Sequence, residues 1–226
     1  MSTVIEPIVR SQTTFPEDWS MADLRDHLGG VAAERVRLFP FPGTATEDQA
    51  VQISERGEGL YELVDGILVE KPVGQLESYL AGQLIFLLQS YLEANRRGIL
   101  LAPDGPFRLS PRIMRMPDVA FVAWERLPER RLPKDKVLKV CPDLAVEILS
   151  EGNTKREMQL KLAEYFQAGT RLVWYIDPRD RTATIYTAVD QAQRIDADGI
   201  LDGRDVLPGF TLRLGDLFAR AEGPPQ

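Results

Sequence analysis

Met116-Pro117-Asp118-Val119-Ala120-Phe121-Val122 and Cys141-Pro142-Asp143-Leu144-Ala145-Val146-Glu147-Ile148-Leu149-Ser150 are two apolar runs with carboxylates set into them. Both read as short buried strands, continuous in apolar residues and bounded by Pro or Ser. A carboxylate inside such a run is costly to bury unless it is paired or binds a cation. Asp118 stands at the start of the first run and Glu147 near the end of the second. If those ends meet, two carboxylates converge, which is a minimal Mg²⁺ site: this ion takes one or two carboxylates and fills its shell with water and phosphate oxygens.

The chain continues as Asn153-Thr154-Lys155-Arg156-Glu157 and then Met158 to Gly169. Thr154 and Glu157 have capping-box spacing, so a helix is expected to begin there. Met158, Leu162, Tyr165 and Phe166 form its apolar stripe, Gly169 ends it, and Lys161 lies at the stripe's edge, within reach of the buried face. Arg171 to Asp177 (RLVWYID) reads as another buried strand, completing a βαβ-like unit.

Outward from this centre, Leu60 to Lys71 (LYELVDGILVEK) is a hairpin around Asp65-Gly66, with Glu62 on its first strand. Residues 74–97 form a long helix whose stripe is Leu76, Tyr79, Leu80, Leu84, Leu87, Leu88 and Tyr91, ended by Gly98. The expected core sheet comprises segments 99–102, 106–110, 118–124, 143–149 and 171–177. Thr182 to Tyr186 adds antiparallel to the last of these, and hairpins from Ala192 onward extend the sheet. Residues 1–55 read as an arm: a tail to residue 15, a helix opened by Ser20, an extended Val36–Gly43 segment and a short helix over 45–53.

Composition narrows the function. Among 226 residues the formal net charge is −7, which argues against coating nucleic acid through bulk charge. One cysteine, Cys141, excludes an internal disulfide and a cysteine-cluster zinc site, and one histidine, His27, excludes a histidine-rich metal site. No apolar run approaches the ~18 residues of a membrane span, and the N-terminus lacks a signal pattern. A soluble cytoplasmic protein with no membrane contact and no organic cofactor is expected. Basic residues cluster between the two acidic strands (Arg126, Arg130, Arg131, Lys134, Lys136 and Lys139), and Arg108, Arg112 and Arg115 precede Asp118. They read either as solvated loops or as a rim contacting phosphates.

The order and linkage of PD at 117–118, DLAVEILS at 143–150, NTKREMQLKLAEYFQAGTRLVWYIDP at 153–178 and YELVDG at 61–66 resemble the Uma2 family, a branch of the PD-(D/E)XK nuclease superfamily. The resemblance implies an α/β fold with a restriction-endonuclease-like core. A mixed β-sheet flanked by helices would span residues 56–220, with the N-terminal arm before it and a C-terminal β-hairpin extension. It also implies a Mg²⁺-dependent endonuclease acting on DNA phosphodiester bonds, with Mn²⁺ able to substitute, and a homodimer for cutting both strands. Asp118 and Glu147 would hold the metal with the backbone carbonyl of Ile148, and Glu62 would be the extra acidic residue from an early element. The superfamily lysine two residues after the glutamate is Leu149 here. Lys161 fits the family's K-x-x-x-Y pattern with Tyr165 and would take that lysine's place, with Lys155 the competitor. Other readings stand beside these: Asp118 capping a turn, Glu147 paired to Lys161 with no metal, Asp143 as a decoy outside the site, and a catalytically silent module that binds nucleic acid or protein.

Overall fold

A computed structural model describes Pro16 and residues 18–72 and 74–223. The expected tail over residues 1–15 and the Pro-rich end at 224–226 lie outside the described residues. In chain order the elements are α1 (Met21–His27), β1 (Val36–Arg37), α2 (Glu47–Glu55), β2 (Tyr61–Val64), β3 (Ile67–Glu70), α3 (Gln75–Asn95), β4 (Gly98–Leu101), β5 (Phe107–Ser110), β6 (Ile113–Arg115), β7 (Val119–Ala123), β8 (Leu144–Ile148), α4 (Lys155–Gln167), β9 (Leu172–Asp177), β10 (Thr182–Ala188), β11 (Gln191–Ile195), β12 (Ile200–Asp202), β13 (Thr211–Arg213) and α5 (Leu214–Ala219).

The strands form a six-stranded mixed sheet, β11-β10-β9-β8-β7-β4, a five-stranded sheet, β1-β3-β2-β6-β5, and a β12-β13 pair. The larger sheet is built around the two quoted runs. β7 pairs antiparallel with β8, and β8 pairs in parallel with β9 across α4. Strand alternation sorts their residues. Val119, Phe121, Leu144, Val146, Ile148, Leu172, Trp174 and Ile176 join Leu80, Leu84 and Leu88 of α3 and Leu214 and Leu217 of α5 in the largest apolar cluster. Ala145, Val173 and Tyr175, from the opposite face, pack on Met158, Leu162 and Tyr165 of α4. Glu147, next to Val146 in the alternation, therefore faces α4.

Two strand expectations differ. Segment 106–110 becomes β5 and joins the smaller sheet, with Phe107 bridged to Leu138 and clustered with Ala120 and Val122 of β7. Beyond β10 only β11 extends the large sheet; β12 and β13 pair with each other, and the chain then turns into α5. Periodicity identifies a strand but does not name its neighbour. In α3 the buried stripe is Leu80, Ala81, Leu84, Leu88 and Leu92, whereas Leu76 and Tyr79 are exposed, and the helix stops at Asn95 rather than at Gly98.

Local chemistry explains the ends that position the site. Asp65 and Gly66 both have positive φ, 52° and 79°, as a tight β2–β3 turn requires. Thr154 accepts from the Glu157 N–H while the Glu157 carboxylate accepts from the Thr154 N–H, so α4 opens in a full capping box.

The N-terminal segment is stitched to this helix start. Gly29 (φ +80°) approaches so closely that a Cβ there would lie 2.6 Å from the Glu157 nitrogen. Arg35 is buried and donates to both Glu157 oxygens, at 3.0 and 2.7 Å, and to the Gly152 carbonyl at 2.9 Å. Burial pushes the Glu157 carboxyl up, but Arg35 and then Lys161 outweigh it and hold the group below its ordinary value. A carboxyl depressed in the fold contributes stability that is complete above the unfolded value of 4.5 and is lost as pH falls through the folded one. Hydrogen exchange is expected to show amides of residues 20–37 losing protection, as pH falls below 4.5, before the β8–β9 amides do. Equal loss in both would show that Glu157 does not hold the arm.

Candidate active site

The site lies where α4 meets both sheets. Its inner part is a closed charge network. Glu62 is fully buried, and its neighbours are supplied by strand register. β2 pairs with β3 as Glu62 with Val69 and with β6 as Leu63 with Met114, so Arg115 and Lys71 fall on the face of Glu62. Glu62 Oε2 accepts from Arg115 Nη1 at 2.8 Å, and Oε1 accepts from the Met116 N–H at 3.1 Å. The other edge of the Arg115 guanidinium binds Glu164 Oε2 at 2.7 Å.

From α4, Lys161 enters between the two glutamates, with only 1% of its side chain exposed. Its Nζ lies 3.2 Å from Glu62 Oε1 and 3.4 Å from Glu147 Oε2. The Tyr165 hydroxyl donates to Glu147 Oε1 at 2.6 Å. Glu157, Lys161 and Glu164 thus form a polar line at helical spacing along the buried face of α4.

The outer part is Asp118. Its backbone N–H donates to the Val146 carbonyl at 2.8 Å, and its Oδ2 accepts from the Ile148 N–H at 2.7 Å. The two quoted runs therefore do bring Asp118 beside Glu147. Oδ1 faces Lys71 Nζ at 2.9 Å, and the same ammonium donates to the carbonyls of Met116 at 2.7 Å and Pro103 at 3.0 Å. Asp118 has 14% of its side chain exposed against 1% for Glu62 and 5% for Glu147, so the network meets solvent at Asp118.

In the described ion pairs four carboxylates (Glu62, Asp118, Glu147 and Glu164) face three cations (Lys71, Lys161 and Arg115), one more negative charge than positive. The strain falls on Glu147. Burial raises its pKa, Lys161 opposes this, and the nearby Asp118 and Glu62 charges add to the rise. Burial also acts to raise Glu62, but Lys161 and Arg115, with the Met116 N–H, overcome it and hold that carboxyl down to about 2. Burial acts to lower the Lys161 pKa, but Glu147 and Glu62 outweigh it and hold the ammonium above its ordinary value.

Of the residues expected from sequence, Glu62, Asp118, Glu147 and Lys161 gather here, with Ile148 bonded through its N–H. Lys155 is exposed at the first turn of α4, away from the pair. Asp143 is buried elsewhere, accepting from Arg126 Nε at 2.8 Å and the Ala123 N–H at 2.9 Å. Arg115, read from sequence as part of either a solvated loop or a phosphate-contacting rim, is instead 3% exposed and internal, because two carboxylates draw it in. In the 126–139 loop Arg130, Lys136 and Lys139 pair with Glu125, Glu55 and Asp135, while Arg131 and Lys134 are exposed. Sequence reading missed Lys71, Glu164 and the Tyr165 hydroxyl. The alternation of the β2–β3 hairpin carries the signal for Lys71, since it is two residues beyond the partner of Glu62.

No group of three or more His, Cys, Asp or Glu side chains among the described residues forms a ready metal cluster. Asp118 and Glu147 nonetheless fit a hard divalent ion in donor type and number, and the site's excess negative charge favours one.

A family model described as Uma2, "Putative restriction endonuclease", matches residues 47–215. The chain belongs to the Uma2 family. Its structure is similar to the crystal structure of a "putative nuclease belonging to DUF820" from Anabaena variabilis ATCC 29413, with a TM-score of 0.64 and 21% identity over 72% of this chain and 91% of that one. At this identity the likeness is one of fold. No curated protein matches the chain. Among the described residues no helix is long and apolar enough to cross a membrane.

Proposed function

We propose that this Uma2 protein is a divalent-cation-dependent endonuclease that hydrolyses DNA phosphodiester bonds, with Mg²⁺ the natural ion and Mn²⁺ a substitute. The convergence of Asp118 and Glu147 at the solvent-facing end of a buried network with excess negative charge carries this reading. Their carboxylates, with the Ile148 carbonyl, would hold the ion. When bound, such an ion polarises a phosphate oxygen and makes a water nucleophilic at neutral pH.

The protein's own groups prepare that site. Tyr165 and Lys161 fix the Glu147 carboxylate from two sides. Lys161 is buried, so it acts through Glu147 as a positioning residue, and Glu62 keeps it in place. The Ile148 N–H orients Asp118. A pair of such sites in a homodimer would allow cuts in both strands.

A second reading, a module that binds DNA or protein without cutting, is favoured by one observation: the carboxylate oxygens of Asp118 and Glu147 already face protein donors. Incubation of the purified protein with supercoiled and linear DNA separates the two. Nicking or linearisation with Mg²⁺ or Mn²⁺, abolished by chelator, is the expected result. Retention of DNA without cleavage under any divalent ion would support the module.

A further inference from the structure

We propose that Lys71 is the resident counter-cation of Asp118, and that a divalent ion binds this carboxylate by displacing it. This rests on reading Asp118 and Glu147 as a cation site.

The Lys71 ammonium sits among three oxygens, Asp118 Oδ1 at 2.9 Å and the carbonyls of Met116 at 2.7 Å and Pro103 at 3.0 Å. An ammonium has three donors, and here all three are used. Carboxylate and carbonyl oxygens are also what a hard cation takes as ligands. The second Asp118 oxygen is occupied by the Ile148 N–H, so an ion and the ammonium compete for Oδ1.

The backbone at Lys71 is held in the sheet while its side chain is flexible. The Lys71 N–H donates to the Leu60 carbonyl at 2.8 Å, continuing the β2–β3 ladder, so the exchange would swing the four-carbon stem. The exchange would occur at the solvent side of the network, because Asp118 is the most exposed carboxylate in these contacts.

Charge makes the exchange selective. With Lys71 in place, four carboxylates face three cations. With Lys71 withdrawn and a divalent ion bound, Lys161, Arg115 and the ion balance the four carboxylates. A monovalent ion would only restore the starting imbalance, so the site prefers divalent cations. Lys71 also keeps Asp118 paired when no ion is present, which limits the cost of that charge near the interior.

The test measures Mn²⁺ binding by calorimetry for wild type, Lys71→Met and Asp118→Asn. In parallel, wild type is acetylated with an amine-reactive ester with and without Mn²⁺, and each lysine is quantified by mass spectrometry. Lys71→Met is expected to bind Mn²⁺ about tenfold more tightly, Asp118→Asn to lose binding, and Lys71 of wild type to acetylate about tenfold faster with Mn²⁺, since it leaves a site only 5% exposed. If Lys71→Met does not fold, the wild-type acetylation decides alone. Mn²⁺ binding with unchanged Lys71 reactivity or unchanged Lys71→Met affinity overturns the displacement and leaves the Asp118–Glu147 site standing. Absence of binding in both wild type and Lys71→Met, or full binding by Asp118→Asn, overturns both.

Discussion

Arg115→Met is expected to lower stability by about 3–5 kcal/mol, because it strips the shared partner from two buried carboxylates. The guanidinium is 3% exposed and clamps Glu62 of β2 to Glu164 of α4 from β6. Without it Glu62 keeps Lys161 at 3.2 Å, but both carboxylates stay buried with one cation fewer, and taking the partner from a buried charge costs far more than the lost attraction alone. Domains of this kind are stable by ~5–15 kcal/mol, so the loss is a large share of the total. For a chain of this size it corresponds to a fall in melting temperature of roughly 6–20 °C. Adding Glu62→Gln and Glu164→Gln to Arg115→Met is expected to recover much of the loss, since the stranded charges go with the partner. A fall of less than about 2 °C for the single variant would mean that the network is not held by Arg115.

Lys161→Met is the second large effect, and it separates stability from chemistry. The variant leaves Glu62 and Glu147 facing each other in the interior without the ammonium that lies 3.2 and 3.4 Å from them. A stability loss of about 3–5 kcal/mol follows from the same reasoning. Cleavage should fall at least ~10²-fold, the scale for removing one preorganised electrostatic group. Glu62→Gln added to Lys161→Met is expected to restore most of the melting temperature and none of the cleavage, because Glu147 still lacks its positioning cation. Recovery of both together would make Lys161 a structural ion-pair partner only. Melting curves and plasmid-nicking rates on the same preparations read the two outcomes.

Much of this architecture was legible because it is locally encoded. The Asp65-Gly66 turn, the Thr154/Glu157 box and the apolar runs around Asp118 and Glu147 each specify backbone over a few residues, and the structure has them where the sequence places them. Lys161 was legible for the same reason, since helical spacing puts it beside the stripe of Met158, Leu162 and Tyr165. What escaped depends on partners distant in the chain. The placement of β5 in the smaller sheet is a pairing choice that alternation does not encode. Arg115 and Lys71 look like ordinary surface cations until register sets them on the face of Glu62. The exposure of Leu76 and Tyr79 follows similarly, because periodicity fixes the face of a helix but not how far its neighbour extends.

The most direct measurement is the rate of Mg²⁺-dependent plasmid cleavage by wild type beside Asp118→Asn, with the melting temperature of each recorded. Asparagine keeps an oxygen for the Ile148 N–H but carries no charge for a cation. Cleavage by wild type, lost by at least ~10²-fold in a variant that still folds, is the predicted result. Equal cleavage by the two proteins, or none by wild type with any divalent ion, would contradict a cation-dependent nuclease site at Asp118.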